Sequence, residues 1–189
     1  MMPIGGWIAI GAVVFVLIVV VAIYNGLVAA RQRVKESWSD VDTELSRRHD
    51  LIPNLVSTVK GYMQHERETL ERVTELRREA DNLRPGLATM AQATIEGTLG
   101  GMMRGIMMRA EAYPDLKASK NFLALQGELA NTEDRIAAAL RFFNGNVRDL
   151  NVKCESFPSV IIANMFGFES AEFFELEDRS QAELPQVDI

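Results

Sequence analysis

Few side chains in this sequence could carry chemistry. His49 and His65 are its only histidines, and Cys154 is its only cysteine. His65-Glu66 is half of the helical zinc-hydrolase pattern, in which a second histidine four residues after the first completes the ligand pair and the glutamate activates water. Thr69 stands where that histidine belongs, so the pair reads as solvated helix surface. A reactive thiol needs a base or positive charge beside it. Cys154 has no histidine near it in sequence and falls on an apolar stripe, which predicts a buried structural thiol. Glu44 with Asp50, or Glu66 with Glu68, could serve acid–base catalysis only inside a shared pocket. Nothing in the pattern supplies one, so they read as surface charges on helices. No phosphate-binding glycine loop, nucleophile elbow or Cys-x-x-Cys motif occurs. The expectation is a chain that is not an enzyme and has no catalytic residues, no metal and no cofactor.

His49 sits in the string Arg47-Arg48-His49-Asp50. Its functional reading is a pH-sensitive contact at the membrane-facing end of a bundle. Helix capping and surface charge is the simpler reading and the favoured one. Arg47 and Arg48 would suit anionic headgroups, worth about 1 kcal/mol each near a membrane surface. On a straight helix they lie roughly 35 Å past Tyr24, several Debye lengths away. Arg31, Arg33 and Lys35 are the better lipid contacts, although a plain topology signal explains them equally well.

These residues must be positioned by helices. The first charged side chain is Arg31, and from Ile4 to Tyr24 almost every residue is apolar or small. As a helix this run reaches about 30 Å, the thickness of a hydrocarbon core. Trp7 and Tyr24 stand at its two ends, where amphipathic rings favour membrane interfaces. Met1 to Gly6 holds no Lys or Arg, whereas Arg31, Arg33, Lys35, Arg47 and Arg48 follow the run. That asymmetry predicts an anchor with its N-terminus outside and the remainder in the cytoplasm. A cleaved signal is the alternative, with Val28, Ala29 and Ala30 loosely resembling a cleavage site.

Beyond the anchor, Val34, Trp38, Val41, Leu45, Ile52, Val56, Val59 and Met63 keep a stripe at helical spacing. The first helix is expected to continue along it, with Pro53 kinking one helix in preference to starting another. The stretch His65 to Asp81, carrying Leu70, Val73 and Leu76, is expected to extend that helix until Arg84, Pro85 and Gly86 break it. A third helix is expected from Leu87 to Tyr113, and Pro114 with Asp115 turns the chain. In the last long segment Phe122, Leu125, Leu129, Thr132, Ile136, Leu140, Phe143, Val147, Leu150, Cys154 and Phe157 recur at steps of three or four, the seam of a bundle or coiled coil. Pro158 ends it. Ser159 to Phe166 is expected to form a short apolar helix, followed by an acidic, mostly irregular tail in which Gln186 to Ile189 could be locally extended. The predicted fold is all-α: one N-terminal transmembrane helix continuing into an antiparallel bundle of long, coiled-coil-like helices. Its expected parts are an anchor over 1–30, a bundle over 31–167 and a tail over 168–189.

The net charge is −6 and the sequence pI is 5.1, which argues against nucleic acid as a partner. A lone cysteine excludes a disulfide-built secreted scaffold. Ala93, Gly97, Gly101 and Gly105 recur every four residues, with Met102, Met103, Met107 and Met108 beside them. Such a strip lets helices approach closely. Gly97, Gly101, Gly105, Met102 and Met103 are therefore candidate contacts between copies in a homo-oligomer, with packing inside one chain as the alternative.

Several strings together resemble a known family. They are Tyr24-Asn25 with Leu27-Val28, Trp38 with Asp42, Arg47 through Val56, Val59-Lys60-Gly61-Tyr62, His65-Glu66, Tyr113-Pro114-Asp115-Leu116-Lys117, Asn121-Phe122, Thr132-Glu133, Arg135-Ile136, Phe157-Pro158, Ile162-Ala163 and Phe166-Gly167-Phe168. Their combination is similar to the LemA family and covers nearly the whole chain. The resemblance implies a single-pass bacterial membrane protein with a helical-bundle domain and no established enzymatic activity. The chain departs from the family at Phe143 and Leu150, where tyrosines are usual, so no role can rest on those hydroxyls. The functional expectation is a non-enzymatic scaffold or adaptor at the bacterial inner membrane. Its expected partners are the lipid bilayer, further copies of itself and a protein the sequence does not name. An exported soluble bundle and an enzyme with a site hidden between helices are the alternatives.

Overall fold

A computed structural model describes residues 4–83 and 89–176. Among these residues it contains six α-helices, one 3-10 turn and no strand. The helices are α1 (Ile4–Lys60), α2 (Arg67–Leu83), α3 (Met90–Ala110), α4 (Pro114–Lys117), α5 (Lys120–Glu155) and α6 (Ser159–Phe166). The chain divides into two compact units. One comprises Met1–Ser37 with Phe143–Phe173, the other Trp38–Phe142 with Phe174–Ile189.

In the first unit α1 begins as a helix whose side chains are exposed almost without break from Ile4 to Ile18. By length and composition it can cross a membrane. Burial starts at Val19 and Val20, which are half-covered, and is complete at Leu27, Ala30 and Val34. Phe143, Val147, Leu150 and Cys154 of α5 are buried in this unit. Lys153 donates from Nζ to the Gly26 carbonyl at 3.2 Å. Helix α6 ends in a left-handed Gly167, φ +67°, a conformation that a side chain resists. The amide of Phe168 then returns to the Ala163 carbonyl at 2.9 Å, turning the Phe168 ring inward. The following segment is pinned by both ends of one amide. Asn151 Nδ2 donates to the Ala171 carbonyl at 2.9 Å and Asn151 Oδ1 accepts from the Ala171 amide at 2.8 Å.

In the second unit the rest of α1 pairs antiparallel with α2. Helix α1 stops at Lys60, and the amides of Tyr62 and Met63 close a turn on the Val59 carbonyl. The helix expected to run on through His65 therefore ends here. Gly61 costs helix stability, and the buried Met63 seals the turn from within. The break expected at Arg84, Pro85 and Gly86, the Leu87 start and the extended Gln186 to Ile189 lie outside the described residues. Thr89 caps α3, its hydroxyl accepting from the Gln92 amide at 3.2 Å. Pro114 opens α4, where a missing N–H costs nothing. Ile52, Leu55, Val59 and Met63 form one core with Leu70, Val73, Leu76, Leu99, Ile106, Leu116, Phe122 and Leu129.

Pro53 lies inside α1, so a single helix holds there. Proline cannot donate to the carbonyl four residues earlier. That carbonyl belongs to His49, and Arg77 Nε of α2 supplies the missing donor at 2.9 Å. The α5 seam is buried as expected from Phe122 to Cys154, whereas Phe157 is exposed. Helix α5 ends at Glu155 and the chain turns before Phe157, which removes that ring from the stripe.

Candidate functional site

The second unit contains a layer of charge that an apolar seam would not lead one to expect. Along α1 the buried stripe runs Trp38, Val41, Leu45, then Arg48 with His49, then Ile52 and Leu55. On α3, Gln92 and Glu96 interrupt Ala93 and Leu99 in the same way, and on α5 Thr132 stands between Leu129 and Ile136. Arg48, His49, Gln92, Glu96 and Thr132 are each at most 1% exposed. A buried charge is tolerated only when paired and hydrogen-bonded, and here the partners come from three other helices.

Arg48 is the hub. Its Nη2 donates to the carboxylate of Glu96 and, at 3.1 Å, to the carbonyl of the same residue. Its Nη1 donates to Glu133 Oε1 of α5 at 3.2 Å. Gly100, one turn after Glu96, makes room for this group, since a Cβ there would stand 3.1 Å from Arg48 Nη1. His49 lies between two carboxylates. Its Nδ1 is 2.8 Å from Asp81 Oδ1 of α2, and its Nε2 is 3.0 Å from Glu96 Oε1. Burial by itself would raise the Glu96 carboxyl. The contact with His49 and the charge of Arg48 together outweigh it and hold the group below the usual carboxylate range.

Arg48, His49, Gln92 and Glu96 are buried, while the side chains of Asp81 and Glu133 reach the surface. Both amide atoms of Gln92, Arg48 Nε, His49 Nε2 and Glu96 Oε1 are buried with no hydrogen-bond partner among the described residues, so the His49–Glu96 approach is close without hydrogen-bond geometry. Among those residues, no group of three or more His, Cys, Asp or Glu is arranged to hold a metal ion. An open groove of about 1020 Å³ runs along α2, lined by Lys60, Arg67, Glu71 and Arg78 among others. Its charges pair along the helix itself, Arg67 with Glu71 at 2.7 Å and Arg72 with Glu75 at 2.6 Å. The arrangement can therefore set helix register and respond to protons. It presents no nucleophile with a base and no space beside one for a substrate.

His49 and Arg48 are thus interior, which corrects both the surface-charge reading of His49 and the headgroup reading of Arg48. His65 remains exposed, and Glu66 pairs with Arg109 of α3. Cys154 is buried, its thiol 3.8 Å from the Glu169 carbonyl. Burial, and then the charge of Glu155, push its pKa up, as suits an unreactive thiol. Trp7, Arg31, Arg33 and Lys35 are exposed, while Tyr24 is half-buried against Phe166 and Phe168 at 4.9 and 5.7 Å between ring centroids. In the glycine strip Gly101 is exposed, and a Cβ at Gly101 or Gly105 would meet nothing within 4 Å. Met103 is buried in the core, and Met102 packs against it while staying partly exposed. Glu96, Gln92, Asp81, Glu133 and Arg77 were not singled out from sequence. The available signal was an ionic residue standing where a stripe called for an apolar one.

The family model of the LemA family matches residues 37–189, and that span includes every member of the charged layer. The chain belongs to the LemA family. It is 24% identical to Protein LemA of Metamycoplasma hominis over 165 residues, covering 87% of this chain and 72% of that one. It is 22% identical over 174 residues to the magnetosome protein MamQ of Magnetospirillum gryphiswaldense, covering 80% of this chain and 64% of the relative. The magnetosome protein MamQ 2 of Paramagnetospirillum magneticum is likewise 22% identical over 175 residues. The chain thus spans a little under two thirds of the length of these MamQ relatives.

Proposed function

We propose that this LemA-family protein is a non-enzymatic scaffold or adaptor, anchored by α1 in a bacterial inner membrane with its N-terminus outside and its bundle in the cytoplasm. The observation that carries the reading is the contrast along α1. Exposed, charge-free and apolar from Ile4 to Ile18, the same helix buries Arg48 and His49 farther along in an ionic layer. The first part calls for lipid, since an exposed apolar run of this length has no other cover among the described residues. The second leaves the polar residues locked into structure and the outer surface free for contacts. The names of the relatives denote no reaction, which supports a binding role. The cluster of Arg31, Arg33 and Lys35 after the span supports the orientation.

Partners on this reading are the bilayer, a protein recognised by the bundle surface and further copies of the chain. Self-association has its support in the open backbone at Gly101 and Gly105 beside the exposed Met108. Protease added to intact spheroplasts should leave the bundle whole and cut it after lysis, and digestion from outside overturns the orientation. Crosslinking of the full chain in its own membrane should recover protein adducts. Recovery of the uncrosslinked chain alone counts against an adaptor.

A further inference from the structure

Helix α6 is apolar on two faces. Ser159–Phe166 contains no charged residue. Ile162 and Ala163 are buried against the first unit, yet Ile161 is 51% and Met165 69% exposed, four residues apart on the opposite face. Phe157, in the turn before the helix, is 81% exposed and Phe166, at its end, 52%. Asn164 is the exposed polar residue between them, and a helix with apolar side chains on both faces belongs in a core or against lipid. Its position decides between these. The Phe166 ring stands edge-on to Tyr24, 4.9 Å between centroids, and Tyr24 closes the apolar run that starts at Ile4. The exposed Val21 of α1 lies one turn before it. Just past this level come cations: Arg31 over the Phe168 ring at 4.9 Å and Lys153 on the Gly26 carbonyl. Aromatic rings, an apolar helix face and a collar of cations in that order match the acyl boundary and headgroups of a bilayer.

We infer that α6 lies in the interfacial zone of the bilayer that α1 crosses, so that the face bearing Ile161 and Met165 is a second, lipid-binding contact of the protein. The inference rests on the reading of α1 as a membrane span. The bilayer is the occupant that the structure favours, because the medium that covers Val21 on α1 also reaches a helix packed on Tyr24.

The test uses the full chain in vesicles of phosphatidylethanolamine and phosphatidylglycerol, with photoreactive benzoylphenylalanine in place of one residue at a time. The positions are Ile161, Met165, Val16 within the span and Leu123, an exposed apolar residue of the second unit. All four are exposed, so the substitutions leave the core intact. After illumination, lipid adducts read by mass spectrometry should form at Val16, Ile161 and Met165 to a similar extent and be absent at Leu123. Adducts at Val16 without any at Ile161 and Met165 overturn the interfacial placement and leave the span standing. No adduct at Val16 overturns the span and this inference with it. Chain-to-chain adducts at Ile161 and Met165 in place of lipid ones assign the face to a second copy, and equal labelling at Leu123 removes its specificity; either result overturns the inference.

Discussion

The carbonyl oxygen of His49 is bound by Arg77 of α2, whose Nε lies 2.9 Å away, because Pro53 has no N–H to offer it. A cost inside one helix is met by a side chain of its neighbour, at the level where the two helices also share the His49–Asp81 contact. Removing the Arg77 donor strands a carbonyl at a buried position, at a cost of about 1–3 kcal/mol. Arg77→Ala should therefore destabilise the protein by about that amount. In a Pro53→Ala background, where the helix supplies its own donor, the same change should cost clearly less. Equal losses in the two backgrounds, read from denaturation in detergent, would sink this account of how α1 stays continuous through its proline.

The Arg48–Glu96 pair should behave as a buried ion pair whose separate members are worse than neither. Glu96→Leu leaves the guanidinium with only Glu133 and a carbonyl, and such a loss costs about 3–5 kcal/mol. Arg48→Met together with Glu96→Leu should cost less than the sum of the single changes. A double-mutant cycle on chemical denaturation measures the coupling, and simple additivity would mean that the two side chains do not share their charge.

Stability should fall in acid through Glu96. Its carboxyl is held below the ordinary value of 4.5 in the folded protein, so the unfolded chain takes up the proton first as pH drops. The stabilisation is complete above about pH 4.5 and is lost as pH falls through the lower folded value. Melting temperatures of the wild type and Glu96→Gln should differ at pH 7 and converge as pH falls through that lower value. A gap that stays constant over this range assigns the acid sensitivity elsewhere.

Two adjacent glycines of α3 should respond oppositely. A side chain at Gly100 meets Arg48 Nη1, whereas one at Gly101 meets open space. Gly100→Leu should lower the melting temperature strongly by displacing the guanidinium from Glu96 and Glu133. Gly101→Leu should keep or raise it, since replacing a helical glycine gains up to about 1 kcal/mol. On the self-association proposal Gly101→Leu should also reduce the mass of the detergent-solubilised particle. An unchanged mass by light scattering, or a monomeric wild type, removes the strip from any contact between copies.

Core truncations on the long helix should follow its seam. Leu129 and Ile136 are buried, and Leu123 is half exposed. Leu129→Ala and Ile136→Ala should each cost about 2–5 kcal/mol. Leu123→Ala should stay within about 0.5 kcal/mol. A large effect at Leu123 would point to a partner covering that face.

Periodicity is a local property, and what depended on it could be read directly from the chain. The apolar run to Tyr24, the stripe through Trp38 and Val41, and the seam from Phe122 to Cys154 each follow from spacing within one helix. Spacing is set by 3.6 residues per turn wherever the helix packs. Pro114 and Pro158 marked chain turns for the same local reason. The apolar stripe reaches Met63 and resumes at Leu70, so Gly61 is a weak local sign of the turn between them.

The tertiary structure alone decided the fate of the charges. Arg48 lies 48 residues from Glu96 and 85 from Glu133, and nothing in the local string Arg47-Arg48-His49-Asp50 distinguishes a solvated cluster from a buried one. An ionic residue on an apolar stripe is a contradiction within its own helix, and only partners from other helices resolve it. The same holds for Phe168 and Phe174, buried residues in a segment with no periodicity to announce them. Phe168 is turned inward by Gly167, and Phe174 meets the Trp38 ring at 5.0 Å. Helices could be read from the sequence because their hydrogen bonds close within a few residues; the ionic layer and the aromatic contacts could not, because their partners are brought together only when the chain folds.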